Sequence, residues 1–400
     1  MITIWRYFLG GRTTLLYSER FLDYNLGPSH PLRPVRVKLT HDLILSKGLL
    51  KEDEIMITVP RVASEEEILL FHEKEYVRLV QMYSERGSGL LDAGDTPAFK
   101  GCFEATSLVV GASLEACDNI MGGKFTHAFN PSGGLHHAHP ERASGFCIFN
   151  DPAISVNYLK TKYKIRRLVY MDIDAHHGDG VMYGYYNDPS LLDIDFHENG
   201  KYIFPGTGFP DETGEKEAKG LKLNIPLLPG TGDEAYLKAF HKLIPDIVRK
   251  FRPEIILVQC GADGHANDRL AHLRMTTNTY EEVVSEMHNL AHELCEGRFL
   301  LFGGGGYTIA NVPRVWTVAL ATLAGKTLDN EIPERWSREF RELTGEDPPN
   351  ALRDRLTNDD SKTISEVNNV LEELAGYLAK WRPDSATFIF QDLERSRQGP

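Results

Sequence analysis

Apolar residues recur along the chain in two alternating rhythms. Short apolar runs at 13–17, 126–130, 168–172, 191–196, 221–225, 254–259 and 298–302 have the length and composition of buried strands. Between them lie longer stretches whose apolar positions fall three and four apart. These predict helices from the proline-rich segment 27–36 to about residue 47, over 106–120 and 152–163, from about 178, and over 233–251, 280–296 and 311–323. The tetrapeptide at 64–67 has a capping-box pattern, and Ile68, Leu69, Tyr76, Leu79 and Val80 extend one helical stripe to about Tyr83. Residues 87–97 and 199–220 read as loops. The region 326–360 is charged and contains prolines, 364–381 reads as a last amphipathic helix, and 395–400 as a frayed tail. Strands and helices in alternation predict βαβ units, hence an α/β domain with a mostly parallel central sheet flanked by helices.

Composition changes this picture little. Of 400 residues, 42% are hydrophobic and 25% charged, enough apolar material for one large globular domain. A formal net charge of −13 argues against nucleic acid or an anionic membrane as partner and favours a basic segment instead. Cys102, Cys117, Cys147, Cys260 and Cys295 are scattered and odd in number, without a CxxC pair, and read as buried thiols in a reducing compartment. The apolar run within residues 1–10 is short and carries Arg6, unlike a secretory signal, and no run approaches membrane-spanning length; a cytoplasmic protein is expected.

Candidate chemistry gathers where strands end. Residues 168–180 read LVYMDIDAHHGDG, with Asp172, Asp174 and His176 at a spacing of two. Extended backbone turns every second side chain to one face, so these groups would point together as the strand ends. An acid and an imidazole so placed suit a catalytic zinc-type site, which needs three protein ligands and an open position. In a parallel sheet, ligands bind beyond the carboxyl ends of the strands. Asp263, directly after an apolar strand, is the best-placed third ligand. His136 and His137 follow a glycine pair in another such loop; each imidazole needs a carboxylate to fix its tautomer, and Asp172 and Asp179 are the acids left over. The glycine tract 303–306 lacks a phosphate-cradle spacing. It suits a backbone passing close to substrate and presenting Tyr307, whose phenol could donate to a developing oxyanion.

Five segments, GGLHHAHPERASGFCIFND, YMDIDAHHGDG, FPGTG, QCGAD and GGGGY, occur in the order found in zinc-dependent histone deacetylases and their bacterial relatives, and the chain resembles that family over residues 28–323. GPSHPLRPVR and NEIPERW are similar to its acetoin-utilisation branch. The resemblance implies the arginase/deacetylase fold, a deacetylase domain over 1–382 and a tail over 383–400. It implies Asp174, His176 and Asp263 as ligands of zinc, or of ferrous iron as in some members. His137 would be the general base and acid, oriented by Asp179; His136, paired with Asp172, the electrostatic partner; Tyr307 the group polarising the amide carbonyl. Phe146 and Phe204 match the aromatic walls of a narrow tunnel, Gly145 and Gly305 lie with the substrate-binding residues, and Asp95 matches a rim acid that accepts hydrogen bonds from the substrate backbone. The implied reaction is hydrolysis of the acetyl amide of Nε-acetyl-lysine in proteins, with release of acetate; in the acetoin branch, an acetylated acyl-CoA synthetase would be a substrate.

One departure stands out. Where the family commonly has serine, leucine and histidine, and the serine helps bind a monovalent cation, this chain has Asp195-Phe196-His197. An extra buried carboxylate needs a counter-charge. Potassium or sodium is therefore expected against Asp174, Asp195 and the main-chain oxygens of Asp172, His176 and Phe196. Rival readings are a deacetylase of acetylpolyamines or other small acylated amines, a binuclear manganese ureohydrolase, and a silent acetyl-lysine binding module. The second needs more bridging ligands than can be assigned, and intact His136, His137 and Tyr307 argue against the third.

Overall fold

A computed structural model describes residues 12–50 and 55–378. The readings for 1–10 and 383–400, and the end of the helix predicted to reach Trp381, lie outside the described residues. Among the described residues, eight strands form one sheet in the order β2-β1-β3-β8-β7-β4-β5-β6. They are β1 (Thr13–Leu16), β2 (Ile55–Thr58), β3 (His127–Asn130), β4 (Leu168–Asp172), β5 (Leu191–Glu198), β6 (Lys222–Leu227), β7 (Ile255–Gln259) and β8 (Phe299–Phe302). Every pairing is parallel. Each residue of the central strands β4 and β7 is buried, which requires helices on both faces and explains why these strands read as continuous apolar runs.

The helices are α1 (Val35–Ser46), α2 (Glu65–Ile68), α3 (Lys74–Arg86), α4 (Cys102–Met121), α5 (Asp151–Lys162), α6 (Asp179–Gly184), α7 (Asp233–Phe251), α8 (Thr277–Leu294), α9 (Val312–Leu323), α10 (Glu334–Thr344) and α11 (Ser361–Leu378). The single stripe expected from Ser64 to Tyr83 is two helices. Its capping box forms, but the chain then leaves helical geometry because tertiary bonds take over: Glu73 N donates to Pro140 O at 2.8 Å, and buried His72 accepts from Asn150 N at 2.9 Å. Strand β2 and helix α10 had no sequence assignment. The inner face of α10 is carried by Trp336 and Phe340, whose spacing of four packs them with Leu39, Leu43, Ile309, Val318 and Leu352, while Trp336 Nε1 donates to Leu39 O at 2.8 Å. All five cysteines are buried and unpaired. Among the described residues, no helix is long and apolar enough to cross a membrane.

Sheet order decides where the chemistry meets. Strands β3, β8, β7 and β4 are neighbours although they are far apart in sequence, and register sets Asp172 beside both Gln259 and Asp195. Four loaded loops therefore open onto one edge of the sheet.

Candidate metal centre and acyl tunnel

At that edge, the loop after β4 carries Asp174 and His176, and the loop after β7 carries Asp263. His176 Nδ1 lies 3.1 Å from Asp174 Oδ1 and 2.9 Å from Asp263 Oδ2. The remaining carboxylate oxygens are occupied by the protein: Asp174 Oδ2 accepts from Gln259 Nε2 and from Gly305 N, both at 2.8 Å, and Asp263 Oδ1 accepts from Ala175 N at 2.8 Å. All three residues are buried. Burial and the neighbouring Asp174 carboxylate push Asp263 up to about 7, while the two carboxylates overcome burial and draw His176 up to about 10. One ligand atom from each of the three residues converges within 4.8 Å of the others, and this donor set of one nitrogen and two oxygens suits a divalent cation such as zinc or ferrous iron. Backbone clearance fits as well, since a Cβ on Gly261 would stand 2.0 Å from Asp174 Oδ2.

The loop after β3 supplies two imidazoles. Gly134 adopts φ +87, and a Cβ there would meet the main chain of Gly303 at 2.8 Å, so only glycine brings this loop against the one after β8. Asp151, at the start of α5, accepts from Gly134 N at 3.0 Å and Leu135 N at 2.9 Å and fixes the loop from behind. Both rings then turn into one pocket, with Nε2 atoms 3.1 Å apart. His136 Nδ1 meets Asp172 Oδ2 at 2.7 Å, and Asp172 also accepts from the Tyr170 hydroxyl at 2.6 Å. His137 Nδ1 meets Asp179 Oδ1 at 2.7 Å, while His139 takes the other oxygen at 3.0 Å. Burial opposes charge on both rings. Asp172 and Asp174 outweigh it at His136, which is raised to about 9; at His137, the His136 charge adds to burial and the ring is held down to about 4. Two adjacent histidines therefore differ in charge, the outer one neutral.

The loop after β8 presents Tyr307, aimed by Asp268, whose Oδ2 accepts from Tyr307 N at 2.8 Å, and by buried Arg36, which donates to Gly306 O at 3.1 Å. A cavity of about 280 Å³ leads inward between Phe146, Phe204, Tyr202 and Leu270, with exposed Asp95 on its rim, to His137, His176 and Tyr307. The Phe204 ring lies 5.0 Å from His137 and the Phe146 ring 5.8 Å from Tyr307. Phe146 has φ +71, a conformation worth about 1–3 kcal/mol of strain. It is held by both main-chain groups: its N–H donates to Thr96 Oγ1 at 3.0 Å, and its carbonyl accepts from the Tyr24 hydroxyl at 2.8 Å. Beyond Gly145 and Phe146, an inner cavity of about 20 Å³ is lined by Leu135, Gly304, Gly305 and Tyr307, room for about one water. Asp195 is buried one strand over, its oxygens engaged by Gly178 N at 2.7 Å and His197 Nδ1 at 2.6 Å; burial and Asp172 hold its carboxyl well above the usual range. Phe196 is buried on the same strand.

All the sequence-derived candidates thus fall in one region: the three metal-ligand candidates, the two paired imidazoles, Tyr307, and the wall and rim residues. Sequence reasoning missed Gln259, Asp151, Asp268, Arg36 and His139. Gln259 and His139 had a signal, a lone amide closing an apolar strand and a third histidine in one loop; the others act through tertiary partners.

A family model for the histone deacetylase domain matches residues 30–323. The acetoin utilization protein AcuC of Bacillus subtilis (strain 168) is 41% identical over 332 residues, covering 81% of this chain and 85% of that protein. Those of Staphylococcus aureus (strain MSSA476) and Staphylococcus xylosus are 36% and 38% identical; the first alignment covers 92% of this chain and 97% of the relative, the second 81% and 86%. One domain model spanning most of the chain, with relatives aligned over 85–97% of their lengths, agrees with the geometry at the sheet edge: the chain belongs to the histone deacetylase family.

Proposed function

We propose that the chain hydrolyses the acetyl amide of Nε-acetyl-lysine in proteins, releasing acetate and free lysine. The observation that carries this reading is a cavity walled by Phe146, Phe204 and Tyr202 that ends on His137, His176 and Tyr307, with room for about one water beyond, beside Asp174. Desolvating a lysine's four methylenes between Phe146 and Phe204 contributes about 3 kcal/mol. A zinc or ferrous ion held by Asp174, His176 and Asp263 would supply Lewis acidity to the acetyl carbonyl and to water. His137 accepts the proton of the attacking water at Nε2 and later delivers it to the lysine nitrogen; Asp179 keeps Nδ1 protonated and the ring in place. The charge on His136, anchored by Asp172, lies beside the developing oxyanion, and the Tyr307 hydroxyl donates to it. Asp95 at the rim receives backbone N–H groups of a peptide. An acetylated acyl-CoA synthetase is the partner this reading favours.

Tyr307→Phe should lower kcat about 10²-fold with KM little changed, the loss typical of one oxyanion donor; an unchanged kcat removes its role. With a single water's room beyond the acetyl methyl, a butyryl-lysine peptide should be turned over at least about tenfold more slowly than the acetyl peptide, since overpacking costs about 1–3 kcal/mol. The same panel should rank acetylputrescine below the acetyl-lysine peptide, and the reverse order would move the reading to small acylated amines. The buried Asp195 carboxylate beside Asp172 supports a potassium or sodium ion against Asp174, Asp195 and the main-chain oxygens of Asp172, His176 and Phe196. Activity indifferent to both ions would remove that site.

A further inference from the structure

We propose that the chain holds a second divalent cation of the zinc class, bound by the Nε2 atoms of His127, His288 and His292 at the end of the sheet opposite the acyl tunnel. His127 opens β3, whereas the tunnel lies beyond the strands' carboxyl ends; His288 and His292 stand one turn apart near the end of α8. The three Nε2 atoms converge, with His127–His288 at 3.0 Å, His288–His292 at 3.1 Å and His127–His292 at 3.3 Å. Their rings fan out from this hub, at 72°, 75° and 84° to one another. A tetrahedral zinc bonded to imidazoles at about 2.0–2.1 Å spaces their nitrogens about 3.3 Å apart. A pair of histidines four apart on a helix, completed by a third ligand from elsewhere, is a familiar zinc arrangement.

Hydrogen bonding cannot account for the trio. A neutral imidazole nitrogen carries either one proton or one lone pair. In a triangle of three Nε2 atoms, one donor satisfies one acceptor, and the third atom faces a like group whichever it carries. Protonating the rings instead would put like charges in a place where His127 is fully buried and His288 nearly so. One cation satisfies all three lone pairs at once.

The surroundings are built for close approach and leave one side open. Gly297 has φ +78, and a Cβ on it would stand 2.7 Å from the His292 ring and 2.7 Å from Thr126. His292 is half-buried, and His288 also lines a cavity of about 620 Å³ with His241, Glu282, Ser285 and Asn289. That cavity reaches the trio at His288, the ring it shares with it. Bound there, it ties the end of α8 to β3 just before the chain enters β8.

The test uses the full chain and zinc alone, counting equivalents retained after desalting. Wild type should keep one equivalent more than a His288→Gln/His292→Gln variant, which should retain deacetylase activity within about twofold and melt several degrees lower only when zinc is present. A chain lacking the tunnel ligands, Asp174→Asn/Asp263→Asn, should still keep one equivalent. Equal stoichiometry in wild type and the histidine variant overturns the proposal. If that variant does not fold, the aspartate variant decides alone: one retained equivalent supports the site and none overturns it. Because these counts do not involve turnover, failure of the deacetylation reading would leave them unchanged.

Discussion

Asp263→Asn should reduce deacetylation by at least about 10³-fold and strip the catalytic ion, while the chain stays folded. The side chain is fully buried, with Oδ2 2.9 Å from His176 Nδ1 and Oδ1 accepting from Ala175 N at 2.8 Å. An asparagine keeps the shape and can keep the Ala175 bond through its amide oxygen. What it removes is one negative charge from a donor set of two carboxylates and an imidazole. Lewis-acid assistance is worth several kcal/mol, and each 1.36 kcal/mol is tenfold in rate, so losing the ion costs three orders of magnitude or more. Metal analysis beside a melting curve separates the outcomes. A variant that retains stoichiometric zinc and more than a tenth of the activity would contradict the ligand assignment.

How much of this could be read from the amino acids depends on what each residue needs from its neighbours in space. The run at 168–172 and the period-two acids after it are local facts, so β4 and the Asp174/His176 pair were legible, as were His136-His137, Asp263 and Tyr307 as chemistry placed directly after strands. That these loops meet follows from parallel strands sharing a carboxyl edge, and the structure adds that β3, β8, β7 and β4 are contiguous, an order no local pattern encodes. Gln259 was passed over because one amide ending an apolar run looks like a strand terminus; its partners are Asp174 and Gly134, which lie on other loops. Asp151 and Asp268 likewise act on main-chain nitrogens far away in sequence. Helix α10 escaped because Trp336 and Phe340 are the two large apolar side chains it buries, so its outer charges dominated the pattern. The histidines at 288 and 292 were readable as one helix face, but His127 joins them from 161 residues away.

Gly305→Ala tests whether the metal-ligand carboxylates must stand where they do, and it should cost about 10³-fold in kcat/KM together with at least about a tenfold loss of zinc affinity. A Cβ at this position would lie 2.1 Å from Asp263 Oδ2, 2.7 Å from its Cγ and 2.8 Å from Asp174 Oδ2. No Cβ sits that close to a side chain, so both carboxylates must shift, and a misplacement of about 1 Å at a reacting centre costs roughly 10²-fold by itself. The backbone offers no relief in the other direction: Gly305 N donates to Asp174 Oδ2 at 2.8 Å and its carbonyl accepts from Ala262 N at 2.9 Å, so the strand end is pinned on both sides. Gly305 is not among the residues at positive φ, which means alanine brings no conformational strain of its own and the loss is purely one of space. Gly376→Ala is the matching control. It lies on the exposed side of α11 with nothing within 4 Å of an added Cβ, so it should leave turnover unchanged and stabilise the helix by about 0.5–1 kcal/mol. Wild-type zinc affinity and turnover in Gly305→Ala would show that the carboxylates have slack, and the tight cradle would then not be what positions the ion.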